Sequence, residues 1–182
     1  MSIFNFGDYV EGINYKVLNE REIRGSAGIM LFLAVIAAIN GFILRQYIVI
    51  PYIVGFLTFS FFIGVFINPK FSPTMLLAKL LVRKQKPLYF GAVQKRFAWS
   101  LGLGLSTTIF VLSFYLLKDE TYFDPVCLLC LVCIALLYLE SAFGICVGCK
   151  LYNLAMALKL IKEPEEKPNC MGDACVFDGD IK

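Results

Sequence analysis

Most of the chemistry open to this chain of 182 residues belongs to seven cysteines, none of which precedes residue 127. They are Cys127, Cys130, Cys133, Cys146, Cys149, Cys170 and Cys175. Histidine is absent. That removes His-ligated haem, the common zinc enzyme sites, imidazole-activated nucleophiles and imidazole proton shuttling. Thiol, carboxylate and ammonium chemistry remain. Cys146, Val147, Gly148 and Cys149 form a C-x-x-C at the exit of the fourth apolar run, followed by Lys150. A cationic neighbour and a helix end are the surroundings of a reactive or ligating thiol pair. Cys127 and Cys130 form a second C-x-x-C and a candidate outer pair, because the free N–H groups that open a helix favour thiolate. The opposing reading of Cys127, Cys130 and Cys133 is packing, since free cysteine is a small, inert hydrophobe when buried.

Cys170 and Cys175 add a C-x4-C in the tail. Together with Cys146 and Cys149 they make four thiolates that could hold zinc or an iron–sulfur cluster. Alternatively no metal is bound, and the tail pair exchanges disulfides or persulfides with Cys146 and Cys149. A permanent structural disulfide does not suit a reducing cytoplasm. Glu140 stands inside an apolar run. A carboxylate at membrane depth marks function or a basic partner. At 100° per residue Cys130, Cys133, Leu137, Glu140 and Gly144 fall on one helical stripe. Glu140 either exchanges a proton with a nearby thiol or forms a buried salt bridge to Lys95 or Arg96 that joins two helices.

These groups must be held by helices in a bilayer. Hydrophobic residues make up 59% of the chain and charged ones only 17%, and the mean hydropathy is +0.73. The 17 basic against 14 acidic residues give a net charge of +3, too balanced to point to nucleic acid as a partner. A spanning helix needs about 20 mostly apolar residues to cross roughly 30 Å of hydrocarbon. Four stretches qualify: Gly25 to Leu44, Tyr47 to Ile67, Phe97 to Leu117, and Val126 to Phe143. The first follows an acidic and basic leader rather than the short basic start of a cleavable signal peptide, so the N-terminus is expected to be retained. Of the 17 Lys and Arg residues, all but Arg45 and Lys118 flank one side of these helices. The excess of cations places that side, and both termini, in the cytoplasm.

Between the second and third helices, Met75, Leu76, Leu77, Leu80 and Leu81 alternate with Lys79 and Arg83, the pattern of an amphipathic helix lying in the headgroup interface. Leu151, Leu154, Leu158 and Ile161 predict another. The expected architecture is therefore all-α: a polytopic membrane protein with four transmembrane helices in two hairpins and cytoplasmic interfacial amphipathic helices. Residues 1–24 form a cytoplasmic N-terminal segment. Residues 25–162 hold the four helices, with interfacial helices near 74–84 and 150–161, and residues 163–182 form a cysteine-containing cytoplasmic tail.

The runs NEREIRGSAG (Asn19 to Gly28), NPKFSP (Asn68 to Pro73), KRFA (Lys95 to Ala98) and LESAFGICVGCKLY (Leu139 to Tyr152) resemble the bacterial membrane family designated domain of unknown function 4395. The likeness covers roughly residues 15 to 175, and its most specific part is Glu140, Phe143, Gly144, Cys146, Gly148 and Cys149. It implies a four-helix protein of the bacterial inner membrane with a second cysteine pair, matched by Cys170 and Cys175. It also implies thiol or sulfur traffic with a thioredoxin-like or sulfurtransferase protein, but no defined activity. Cys127, Cys130 and Cys133 lie outside that pattern.

The leading reading is thiol redox or sulfur transfer at the cytoplasmic face. In it Cys146 and Cys149 react, Cys170 and Cys175 serve as partner thiols, Glu140 moves the proton, and Lys95 or Arg96 supplies the countercharge. The alternative is a non-catalytic accessory subunit of a larger membrane complex, with or without a metal site made of four cysteines. A transporter needs a polar path, for which the helices offer only Asn40, Ser60, Thr107, Thr108 and Glu140.

Overall fold

The computed structural model describes residues 6–7 and 16–158; Cys170, Cys175 and the end of the amphipathic segment expected to reach Ile161 lie outside them. Among the described residues the chain forms β1 (Val17–Asn19), α1 (Glu20–Phe42), α2 (Val49–Phe66), α3 (Pro73–Val82), β2 (Tyr89–Gly91), α4 (Ala92–Leu116), α5 (Phe123–Phe143) and α6 (Val147–Ala157). Four helices, α1, α2, α4 and α5 with its leading 3-10 turn, are long and apolar enough to cross a membrane. The expected all-α architecture holds.

Three of these helices begin earlier than their apolar runs: α5 at Phe123 rather than Val126, and α1 and α4 by more. Asn19 caps α1: its side chain accepts from the Arg21 N–H at 3.2 Å and donates to Glu22 at 3.1 Å, and Glu20 and Glu22 complement the positive end of the helix dipole. Helix α1 therefore starts at Glu20 rather than Gly25. Helix α4 starts at Ala92 rather than Phe97, which puts Lys95 and Arg96 on the helix itself. The starts of α1 and α4 are tied by a feature the hydrophobic pattern did not reveal, an antiparallel pairing of β1 with β2 that sets Leu18 opposite Phe90. Backbone bonds from Glu20 to Leu88 (2.7 Å) and from Ala92 to Lys16 (2.9 Å) extend it.

Consecutive helices form the two hairpins, yet the closest packing runs across them. Helix α1 packs chiefly on α5 and α2 chiefly on α4, with α3 lying on α1 and α6 on α4. Four chain ends thus meet at one end of the bundle: the starts of α1 and α4 and the finishes of α2 and α5. At the opposite end the α1–α2 turn places Arg45 in the left-handed region (φ 51°), and its guanidinium sits 5.5 Å from the centroid of the Phe123 ring.

The core at the first end is built around Trp99, which meets Phe61 edge-on at 5.8 Å and Phe6 at 6.4 Å. It also contains Ile23, Met30, Leu137, Cys146 and Cys149. Helix α3 is held to α1 by buried hydroxyls, Ser26 donating to Thr74 at 2.9 Å with Ser72 3.2 Å from Thr74. This sets its rotation and corrects one expectation: Met75 turns inward with Ala78, while Leu76, Leu77, Leu80 and Leu81 stay outward beside Lys79.

A methyl group on Gly64 would run into the Trp99 ring, whereas one on Gly104 would meet nothing within 4 Å. Gly64→Ala is expected to lower stability by about 1–3 kcal/mol, the usual range for overpacking a core. Gly104→Ala is expected to be neutral or stabilising, because alanine is the better helix former. Thermal unfolding of the two variants in the same detergent checks the contrast.

Candidate functional site

Helix α5 ends at Phe143, where the fourth apolar run is expected to end, and does not continue into the C-x-x-C. Gly144 adopts φ +68° and closes the helix, its N–H donating to the Glu140 carbonyl at 3.1 Å. The chain then turns, and Cys146 becomes the N-cap of a new helix, α6. The C-x-x-C is therefore not the exit of the fourth apolar helix but the opening of the next one. The environment anticipated for Cys127 and Cys130, the positive end of a helix dipole, belongs to Cys146.

The two sulfurs face each other. The Cys149 thiol donates to Cys146 Sγ at 2.8 Å, and the Cys149 backbone N–H points at the same sulfur from 3.4 Å. Lys95, one helical turn into α4, reaches across to place Nζ 3.8 Å from Cys146 Sγ. The same ammonium forms a close charged hydrogen bond with the Glu140 carboxylate of α5. Lys95 is completely buried, and Cys146 and Cys149 are 5% and 2% exposed. Three helices thus contribute to one charged cluster beneath an apolar surface.

The proximity of α6 to α4 depends on Gly148. A Cβ there would lie 2.6 Å from the Ala98 Cβ and 2.7 Å from its Cα, so only glycine lets the backbones approach this closely. Tyr152 packs on Phe97 at 5.5 Å, and Gln94 donates to Asn153 at 3.2 Å, which seats the rest of α6. On the other flank Arg24 of α1 donates to the Ser141 and Ala142 carbonyls (3.3 and 2.9 Å) and lies 3.7 Å from Glu20. It satisfies carbonyls that the end of α5 leaves without helical partners. Arg24 and Gly148 were visible only as letters of the NEREIRGSAG and CVGC runs; nothing in periodicity singled them out.

The thiols differ in character. The hydrogen bond from Cys149, and then the Lys95 ammonium, hold Cys146 down at about 7 against the opposing effect of burial. Cys149 is pushed up, because ionising it forfeits that hydrogen bond and burial adds to the cost. Cys146 is the sulfur that carries negative charge near neutral pH, and Cys149 keeps its proton.

Other expected site residues fall elsewhere. Arg96 is exposed and sits 5.9 Å from the Phe6 ring centroid, so the countercharge of Glu140 is Lys95 and not Arg96; one residue along a helix rotates a side chain by 100°. Cys127, Cys130 and Cys133 on α5 are free thiols. Cys130 and Cys133 pack against the second apolar core, with Ile50, Val54, Ile109, Leu116 and Val126. Leu137, Glu140 and Cys133 do share a stripe, and together they line a cavity of about 180 Å³ that also reaches Cys146. No group of three or more Cys, Asp or Glu suited to a metal ion occurs among the described residues, and the four-cysteine set considered from the sequence includes Cys170 and Cys175, which lie outside them.

Four helices able to cross a bilayer, closed at one end by a short helix that carries a buried dithiol, define an all-α membrane-type protein with a cysteine site. The family model described as domain of unknown function, DUF4395, matches residues 18–157, and the chain belongs to that family. No curated protein and no solved structure matches it.

Gly148→Ala should force α6 away from Lys95 and raise Cys146 from about 7 toward the ordinary 9.0, read as the near-ultraviolet thiolate absorbance titrated against pH and corrected with Cys146→Ser. Lys95→Met alone strands the Glu140 carboxylate and should cost about 3–5 kcal/mol, as removing one partner of a buried pair does. Lys95→Met combined with Glu140→Gln should recover much of that loss while leaving Cys146 raised.

Proposed function

We propose that this protein is a dithiol redox protein of the bacterial inner membrane, with Cys146 as the attacking thiolate and Cys149 as the resolving thiol. The observation that carries this reading is the asymmetry of the pair: one sulfur sits at a helix N-terminus beside a buried ammonium, and the other donates to it from 2.8 Å. A pair that only packed a core would need neither the charge nor the helix end.

In the forward step the Cys146 thiolate attacks a disulfide sulfur of the substrate, forms a mixed disulfide and expels one substrate thiolate. Cys149 then loses its proton and attacks Cys146 Sγ. The intramolecular S–S bond forms, the mixed disulfide breaks, and the second substrate thiolate leaves and is protonated. Glu140, hydrogen-bonded to Lys95, is the nearby carboxylate that can receive the Cys149 proton; Lys95 keeps Cys146 charged. Cys170 and Cys175 are proposed as a second pair that exchanges with this one and passes electrons between it and a thioredoxin-like or sulfurtransferase partner. The Lys and Arg distribution supports placing this end, and both termini, at the cytoplasmic face.

An accessory-subunit role predicts no turnover at these sulfurs, which gives a direct test. In a background with Cys127, Cys130, Cys133, Cys170 and Cys175 replaced by alanine, the apolar reagent dipyridyl disulfide should release two thiopyridones from the pair and leave Cys146 joined to Cys149. Cys149→Ser should release one and retain the pyridyl adduct on Cys146, identified by peptide mass. If Cys146 stays unmodified in both proteins, the proposal fails.

A further inference from the structure

The dithiol is almost closed to water, yet one of its two residues, Cys146, lines a cavity. The cavity of about 180 Å³ is walled by Ile23, Ala27, Met30 and Trp99 at depth and carries Glu140 and Cys146 at its polar end. Its other lining residues include Leu101 on α4, Leu136 on α5 and Leu151 on α6, which are 45%, 37% and 46% exposed. Those three leucines lie on the outer surface of the helices, where hydrocarbon covers a protein read as spanning a membrane. The cavity therefore communicates with lipid, and a reactant that enters this way must dissolve in the bilayer.

Its size narrows the choice. An engineered apolar cavity of about 150 Å³ takes one benzene molecule, so the space here accepts a single substituted six-membered ring but not a peptide or a folded domain. The chemistry narrows it further. A dithiol that closes to a disulfide yields two electrons and two protons, and needs an acceptor that takes both. A lipid-dissolved molecule with one six-membered ring and this capacity is a quinone.

Resting on the dithiol reading above, we propose that the apolar cavity admits the ring of a membrane quinone from the bilayer and that Cys146 and Cys149 reduce it. The Cys146 thiolate adds to a ring carbon, forming a C–S bond while the displaced electron pair moves to one ring oxygen, which takes a proton. Cys149, deprotonated, then attacks Cys146 Sγ. The S–S bond forms, the C–S bond breaks with its electron pair passing to the second oxygen, and that oxygen is protonated. Two thiols and one quinone become one disulfide and one hydroquinone. Glu140, which lines the cavity and is paired with Lys95, is placed to pass the thiol protons to the ring oxygens.

The test uses the full-length reduced protein in lipid nanodiscs, with a fully substituted benzoquinone bearing a short alkyl tail, so that a thiol adduct has no ring hydrogen to lose and cannot persist as a stable thioether. Hydroquinone should form in equal amount to the Cys146–Cys149 disulfide, and neither product should appear with Cys146→Ser or Cys149→Ser. A sulfonated quinone of similar potential, confined to water, should react about tenfold or more slowly, as should the alkyl quinone with Leu136→Trp or Leu101→Trp, which narrow the apolar entry. Diamide serves as the independent oxidant. If diamide closes the disulfide but the alkyl quinone is not reduced, or if the sulfonated quinone reacts as fast, the quinone inference falls and the dithiol reading stands. If neither oxidant closes the disulfide, both fall.

Discussion

An ammonium group with no access to water governs this structure. Lys95 is wholly buried in a bundle of four helices apolar enough to cross a membrane, and an isolated charge there would carry a desolvation cost of several kcal/mol. It is met by the Glu140 carboxylate and the Cys146 sulfur. Both arrive from other elements, so the fold must bring three chain segments to one point or leave a charge uncompensated. The glycine that ends α5, the glycine that lets α6 touch α4, the arginine that caps α5 and the strand pairing that fixes the starts of α1 and α4 all serve that convergence.

The same cluster makes two identical side chains unlike. Sulfur at the N-cap of α6 receives hydrogen bonds and faces a cation; sulfur three residues later donates one of those bonds and is more deeply buried. Cys130 and Cys133 of α5 pack among aliphatic side chains of the apolar cores instead. The five cysteines among the described residues thus divide by environment rather than by spacing, since Cys127–Cys130 and Cys146–Cys149 share the C-x-x-C interval but not the helix end or the lysine.

The parts of this legible in the sequence are those written in long-range composition. Four apolar runs fix four helices, and a lone carboxylate among them demands a basic partner. The choice between Lys95 and Arg96 was not legible, because it depends on where α4 begins, and that start is set by a three-residue strand pair too short to show a period. The break at Gly144 was written in one residue, and reading it as a cap requires knowing that the chain turns back onto α4. The packing of α1 on α5 and α2 on α4, rather than mainly within each hairpin, follows from side-chain fit such as Gly64 under Trp99, which no pattern of hydropathy encodes.

The most direct measurement is the equilibrium between dithiol and disulfide at Cys146 and Cys149. The protein is poised in a series of reduced and oxidised dithiothreitol buffers, and the peptide carrying both residues is read by differential alkylation and mass. The expected result is one reversible two-electron transition in which both sulfurs change together, and its loss when either is replaced by serine. Two thiols that remain free in the most oxidising buffer would contradict it.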